Sequence, residues 1–260
     1  MKENEFKLNR RNKLMRKFFL VALTLVAALT LAACNSEKKA TAYGLVHGHY
    51  VGEITVEVAS DGTVKTVSIE EWFLPYNWAK VTVTDTANVP ADVLAVDGSR
   101  AVSYYAKYVK IGDKLFTGAV SGAAKAQVIT YSSRDITNIE TWVEDHDNAK
   151  WYVDQIKDEK FFIAKVDGTE NTALVRSDAN SNTAMNKSES GYWTVATPAL
   201  GWAGNVEAMV TAFVGTKMDA TAEELVKDGT WKIADVTTTA TLTDFADYYL
   251  LAQVAYNDAK

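Results

Sequence analysis

Apolar and polar positions along this chain change period several times, and each change marks a predicted element. Residues 18–33 form one uncharged, largely apolar run. Beyond residue 42 the period becomes two, with Ile54, Val56 and Val58 alternating with Thr55 and Glu57. Such alternation puts successive side chains on opposite faces of a sheet, so residues 43–58 read as strand. Ala59-Ser60-Asp61-Gly62 follows, and Asp-Gly between apolar runs is a strong hairpin signal. Val64, Val67 and Ile69 carry a second strand, which predicts a β-hairpin over residues 49–71. Shorter strands are expected at 81–84, 104–109, 114–117, 161–166, 192–197 and 208–215.

Helical spacing governs two other stretches. Ile136, Ile139, Val143, Trp151 and Ile156 predict helix over residues 135–160, interrupted near Asp145-His146-Asp147. Phe245, Tyr248, Tyr249, Leu251, Ala252 and Ala255 build the apolar face of a helix over 244–256. A short helix is expected from Asp219 to Lys227, ended by Gly229. Residues 117–124 read as a Gly/Ala-rich turn, and 179–190 as a polar surface loop. Strands and helices mix without βαβ alternation, and no short repeat occurs. The expected class is α+β, an antiparallel sheet with packed helices. Length allows one large domain or two small ones, with a conceivable boundary near 178–190.

The apolar run at 18–33 is preceded by seven basic and two acidic residues. A positive segment, an apolar segment and small residues at its end make a secretory leader. Sixteen apolar positions are short for a bilayer span. The run closes on Leu31-Ala32-Ala33-Cys34, which resembles the lipobox of bacterial lipoproteins. That resemblance implies cleavage before Cys34, acylation of its thiol, and a lipid anchor on the extracytoplasmic face of the cell membrane. Stable anchoring takes two or more acyl chains. The expected plan is a leader at 1–33, a lipidated tether at 34–42 and a domain at 43–260.

Cys34 is the only cysteine, so no intrachain disulfide forms. The chain carries a net charge of −6, and loss of the basic leader makes the remainder more acidic. This argues against nucleic acid as a partner. Hydrophobic residues make up 48% of the chain, enough to fill a sizeable core.

Candidate chemistry concentrates near the C-terminus. Asp235-Val236-Thr237-Thr238-Thr239-Ala240-Thr241-Leu242-Thr243 sets a cluster of hydroxyls just ahead of the last predicted helix. A helix N-terminus offers unpaired backbone N–H groups and the positive end of the dipole, which suits a phosphate. The plainer reading has Thr243 or Asp244 capping the helix and the other threonines in a strand.

This stretch resembles the flavinylation motif of the FMN-binding domain family. The family includes peripheral subunits of Rnf and sodium-pumping quinone reductase complexes, and lipoproteins of extracellular electron transfer. Its pattern is Asp-x-x-Ser/Thr-Gly-Ala-Thr, met here by Asp235, Thr238, Ala240 and Thr241, with Leu242 and Thr243 following. The resemblance implies FMN joined to Thr241 by a phosphoester, installed by an FAD-dependent flavin transferase. Thr239 stands where the family has glycine. A second, weaker resemblance is Gly48-His49-Tyr50-Val51-Gly52 with Asp61-Gly62 and Val64-Lys65-Thr66-Val67, similar to the family's opening hairpin, and together the two imply an FMN-binding-domain-like fold over 43–260 with a large insertion between them, or a diverged relative.

Trp72, Phe73, Tyr76 and Trp78 form an aromatic segment broken by Pro75, able to stack on an isoalloxazine ring or a sugar, or to anchor a loop. Trp193 and Trp202 form another. His47 and His49 lie on a predicted strand with both rings on one side, and Glu53 or Asp147 could complete a Zn²⁺ or Cu²⁺ site. Three histidines are a thin supply, so no metal is expected. Nucleophile-elbow, P-loop and GxGxxG patterns are missing. The expected function is a lipid-anchored flavoprotein passing electrons from a membrane donor to an extracellular acceptor, a redox carrier more than an enzyme with its own substrate. The rival is a cofactor-free surface lipoprotein for solute capture or adhesion.

Overall fold

The computed structural model describes residues 38–195, 199–228, 230–233 and 236–260. The leader, Cys34, Asp235 and Gly229 lie outside the described residues. Strands β1 (Lys38–Val46), β2 (Tyr50–Val58) and β3 (Val64–Phe73) form an antiparallel sheet in that order. The expected hairpin is therefore present as β2–β3. Two differences stand out. Residues 43–58 are two strands, because His47 and Gly48 turn the chain with φ of 52° and 68°. And the strand begins at Lys38, so Lys38 to Ala42, expected in the tether, pair with β2.

Helix α6 (Phe245–Asp258), whose position the apolar stripe predicted, lies across β1 and β2. Its close approach depends on two glycines that are register partners, Gly44 and Gly52. A Cβ on Gly44 would stand 3.2 Å from Leu251 Cδ1. One on Gly52 would stand 2.8 Å from Val46 Cγ1 and 3.0 Å from Leu251 Cδ2. The first of the Gly52 contacts is closer than real Cβ atoms come and the others are tighter than ordinary packing, so bare backbone at this pair lets α6 lie close, with Tyr248, Ala252, Ala255 and Tyr256 buried.

Helix α5 (Gly201–Phe213) packs against β3. The sequence predicts strand over 208–215, but 208–213 are the second half of this helix and 214–215 a turn. Helix wins because Trp202, Asn205, Met209, Ala212 and Phe213 share one buried face at helical spacing. Phe213 meets Phe245 and Tyr249 edge-on, at ring separations of 5.9 and 5.6 Å. Residues 192–195 are likewise not strand, and the short helix expected from Asp219 is a single 3₁₀ turn at Ala222–Glu224.

A second antiparallel sheet has the order β8-β7-β6-β9. It contains β6 (Tyr108–Ile111), β7 (Lys114–Ser121), β8 (Val128–Ser132) and β9 (Phe161–Ile163). Residues 117–121, expected in a turn, belong to β7. A hairpin of β4 (Val93–Asp97) and β5 (Val102–Ala106) packs beside it, and a small sheet joins β10 (Leu225–Asp228), β11 (Thr230–Ile233) and β12 (Val236–Thr237).

The helix expected at 135–160 is split into α2 (Ile139–Trp142) and α3 (His146–Lys157). Asp145 caps α3, accepting the N–H groups of Asp147 and Asn148. Short turns α1 (Pro75–Trp78) and α4 (Lys187–Ser190) complete the set. Residues 179–190 are not a free loop: Met185 accepts the Phe73 N–H at 3.0 Å, and Ser181, Asn186 and Lys187 are buried. The α+β class with antiparallel sheets and packed helices holds.

Gly52→Ala should lower stability by about 1–3 kcal/mol through overpacking under Leu251. The check is a urea unfolding curve; a midpoint at or above that of the unmodified protein would refute the close-approach argument.

Candidate functional site

Thr241 sits at the mouth of a cleft of about 330 Å³ between the β1–β2 turn, α4, the segment before α5 and the start of α6. Its loop is held by a residue the sequence reading missed. Asn205 of α5 is fully buried, and its Oδ1 accepts the N–H of Thr241 at 2.7 Å and of Leu242 at 3.2 Å. The Thr241 hydroxyl also donates to that oxygen, at 3.2 Å. Asn205 Nδ2 donates to the Gly201 carbonyl at 2.6 Å, which fixes the amide's orientation. Trp231 Nε1 donates to the Leu242 carbonyl at 2.5 Å, and Lys227 Nζ to the Thr241 carbonyl at 3.3 Å. The Thr241 side chain itself is exposed.

The remaining motif residues divide into framework and rim. Thr238 and Ala240 are buried, and Thr238 Oγ1 accepts the Ala240 N–H at 3.1 Å. Thr243 is exposed and lines the cleft. Asp244 occupies the cap position of α6, yet its carboxylate makes no capping bond and meets His47 Nδ1 at 2.5 Å. Asp247 accepts the His47 N–H at 3.1 Å. Thus the hairpin turn and the threonine stretch, far apart in the chain, meet at one helix end. Among described non-glycine residues only His47, Lys125, Glu159 and Trp193 take positive φ, so Thr239 stands in a conformation a β-branched residue accepts.

Aromatic rings wall the cleft: Tyr192, Trp193, Trp202 and Tyr248. Trp193 is 47% exposed, the most open of them. Behind the rings lies a buried charge network. Glu71 of β3 has no exposed surface. One oxygen accepts from Tyr248 Oη at 2.7 Å and from Trp202 Nε1; the other meets Lys187 Nζ at 2.6 Å. The Lys187 ammonium also lies 3.4 Å from the ring centroid of Tyr50 and 4.3 Å from that of Tyr192. Burial pushes the Lys187 pKa below its ordinary value, opposed by Glu71. Burial and the Glu71 charge raise the Tyr248 phenol well above its usual range.

The structure does not bring Trp72, Tyr76 and Trp78 to this cleft. Trp72 and Trp78 line a separate groove. Trp78 is fully buried at the base of that groove and donates to Tyr152 Oη at 3.0 Å. Tyr76 stacks on His49 and Tyr105. The second aromatic segment, Trp193 and Trp202, is the one that reaches Thr241. The two histidines occupy a turn and diverge, His47 to Asp244 and His49 to Glu140 at 3.4 Å. Among the described residues no cluster of three or more His, Cys, Asp or Glu could hold a metal.

No family model matches the chain, and no curated protein or solved structure matches it either.

Glu71→Gln should leave the Lys187 ammonium buried without its carboxylate, at a cost of roughly 3–5 kcal/mol near neutral pH. Unfolded Lys187 holds its proton to about pH 10.4, whereas the folded variant releases it lower. The unfolded state therefore binds more protons in that window, and the variant's deficit should shrink as pH rises toward about 10. Urea unfolding at several pH values checks this; a deficit that stays level or grows refutes the charged pair.

Proposed function

We propose that this protein is a lipid-anchored extracytoplasmic flavoprotein that carries FMN at Thr241 and relays electrons from a membrane donor. What carries the reading is one arrangement. An exposed hydroxyl, pinned by the buried Asn205, stands at the rim of an aromatic cleft beside the start of α6. A cleft of about 330 Å³ falls within the range of small-molecule sites, roughly 300–1,000 Å³.

The residues present fit such a group. Thr241 would hold the phosphate, with the Lys227 ammonium close by and the helix dipole favouring negative charge. His47 draws the Asp244 carboxylate aside from the first turn. Trp193 and Tyr192 offer faces for a flat ring, and Trp202 and Tyr248 exclude water behind them. FMN, when bound, supplies one- and two-electron transfer; the protein supplies position and electrostatics. On this reading Cys34 bears the acyl chains that keep the site at the membrane.

The rival is a cofactor-free surface lipoprotein for solute capture or adhesion. A larger groove that shares no lining residue with the Thr241 cleft favours a solute-binding role, though one that can coexist with the flavin.

Co-expression with an FAD-dependent flavin transferase should give a yellow protein heavier by one FMN less water. Thr241→Ala should abolish both colour and mass gain while leaving thermal unfolding nearly unchanged, because the Asn205 bonds to backbone N–H groups persist. Intact-mass spectrometry decides: an unmodified mass in the parent chain, or a gain surviving in Thr241→Ala, rejects the assignment.

A further inference from the structure

Five buried side-chain polar atoms among the described residues lack a hydrogen-bond partner. Two of them, His47 Nδ1 and Glu71 Oε2, face an ion-pair partner at 2.5 and 2.6 Å. The other three, Arg176 Nε, Ser181 Oγ and Asn186 Oδ1, cluster in one segment. Buried polar groups are nearly always paired, so a cluster of exceptions calls for a reason. This segment walls a groove of about 1000 Å³ that runs between Trp72 of β3 and residues 161–163 of β9.

Arg176 is the centre of the groove's chemistry. Its guanidinium is half-buried, 5.9 Å from the Trp78 ring and 5.7 Å from the Phe161 ring. One terminal nitrogen donates to the Ser181 carbonyl and touches Met185 Sδ. Among the described residues it has no carboxylate within ion-pair distance. Asp178 offsets part of its desolvation from beyond ion-pair distance, so the planar cation is incompletely compensated and suits a carboxylate partner. Asn186 Nδ2 is spent on Glu70 at 3.2 Å, and its carbonyl oxygen, like Arg176 Nε, is buried behind the groove wall. Asn171, Asn182 and Thr183 add short amide and hydroxyl groups to the lining, and Trp72 adds an apolar surface.

An extended peptide fits poorly. Strand addition needs an open sheet edge. On β9 the Ile163 carbonyl already accepts the Asn171 N–H at 2.8 Å, and on β3 the Phe73 N–H is taken by Met185 at 3.0 Å. The chain's own backbone thus occupies a position on each strand beside the groove. What remains is side-chain chemistry: two cations, Arg176 and a Lys157 already paired with Glu53, several amides and hydroxyls, and an aromatic wall. Glu159, Glu170 and Glu189 also line the groove, which disfavours a ligand with many negative charges.

We propose that this groove binds an acidic saccharide, an oligosaccharide with a single uronate whose carboxylate meets Arg176 and whose hydroxyls meet Asn182 and Thr183. The site shares no residue with the Thr241 cleft, so it stands or falls apart from the flavin reading.

Isothermal titration of the full chain with a glucuronate-containing disaccharide, its neutral glucose counterpart and trialanine tests it. The acidic disaccharide should bind at least about tenfold more tightly than the neutral one, the range of one charged hydrogen bond. Arg176→Gln should erase that preference, and Thr183→Trp, an exposed position on the lining, should block both sugars. Thr241→Ala should leave both affinities unchanged. Thermal unfolding verifies each variant's fold; if Arg176→Gln does not fold, Thr183→Trp decides alone, and unaltered binding there overturns the site. Equal affinity for the two sugars, a preference that survives Arg176→Gln, binding of trialanine only, or no binding heat up to about 10 mM would each overturn it as well.

Discussion

Taking a carboxylate fully out of water costs several kcal/mol unless its oxygens are matched, and Glu71 is matched from three distant parts of the chain. Lys187 lies on α4, Trp202 on α5 and Tyr248 on α6, and all three converge on one side chain of β3. The ammonium is in turn covered by the rings of Tyr50 and Tyr192, whose hydroxyls meet at 3.0 Å. Removing any member strands a buried charge or a buried donor, so the elements that carry these groups hold each other in place. The Thr241 cleft is the outer surface of that network: Lys187, Trp202 and Tyr248 form part of its lining. A site built on such a base is rigid before any ligand arrives.

A second constraint sets where the cleft opens. The bare backbone at Gly44 and Gly52 lets α6 lie close on β1 and β2, with its N-terminus at the His47 turn. Its C-terminus lies at the other end of β1, where Lys38 Nζ donates to the Lys260 carbonyl. The nine residues of β1 span about 30 Å, so the cleft and the first described residue occupy opposite ends of the sheet. Asn205 then sets the approach of the threonine loop, with one amide oxygen serving two backbone N–H groups and a hydroxyl. The acidic cap and first turn of α6 answer to the hairpin, not to their own helix.

Local regularity was legible where one face of an element is wet. The β2–β3 hairpin announced itself through Ile54, Val56 and Val58 against Thr55 and Glu57, and through Asp61-Gly62. Helix α6 showed its stripe because Leu250 and Val254 stay partly exposed while Tyr248, Ala252 and Ala255 are buried. Helix α5 misled because its second half is apolar and rich in β-branched residues, and a short apolar run looks alike in strand and buried helix. The turn at His47 was hidden because a histidine with positive φ leaves only Gly48 as its mark. Asn205 and Lys187 carried no local signal at all. A buried amide and a buried lysine read as ordinary surface residues until their partners, Thr241 and Glu71, are brought across from other elements.

By itself the sequence determined what short-range chemistry can encode: a period-two hairpin, a terminal amphipathic helix, an α+β class, and threonines placed just ahead of a helix start. Those features follow from neighbours within a few residues, which share a turn or a face whatever the rest of the chain does. Tertiary structure alone decided which aromatics meet Thr241, that Trp72 and Trp78 belong to a different groove, and that Arg176 stands there with no ion pair among the described residues. These are contacts across long sequence separations, set by how close backbones approach and by which buried charges find partners, and no local pattern records them.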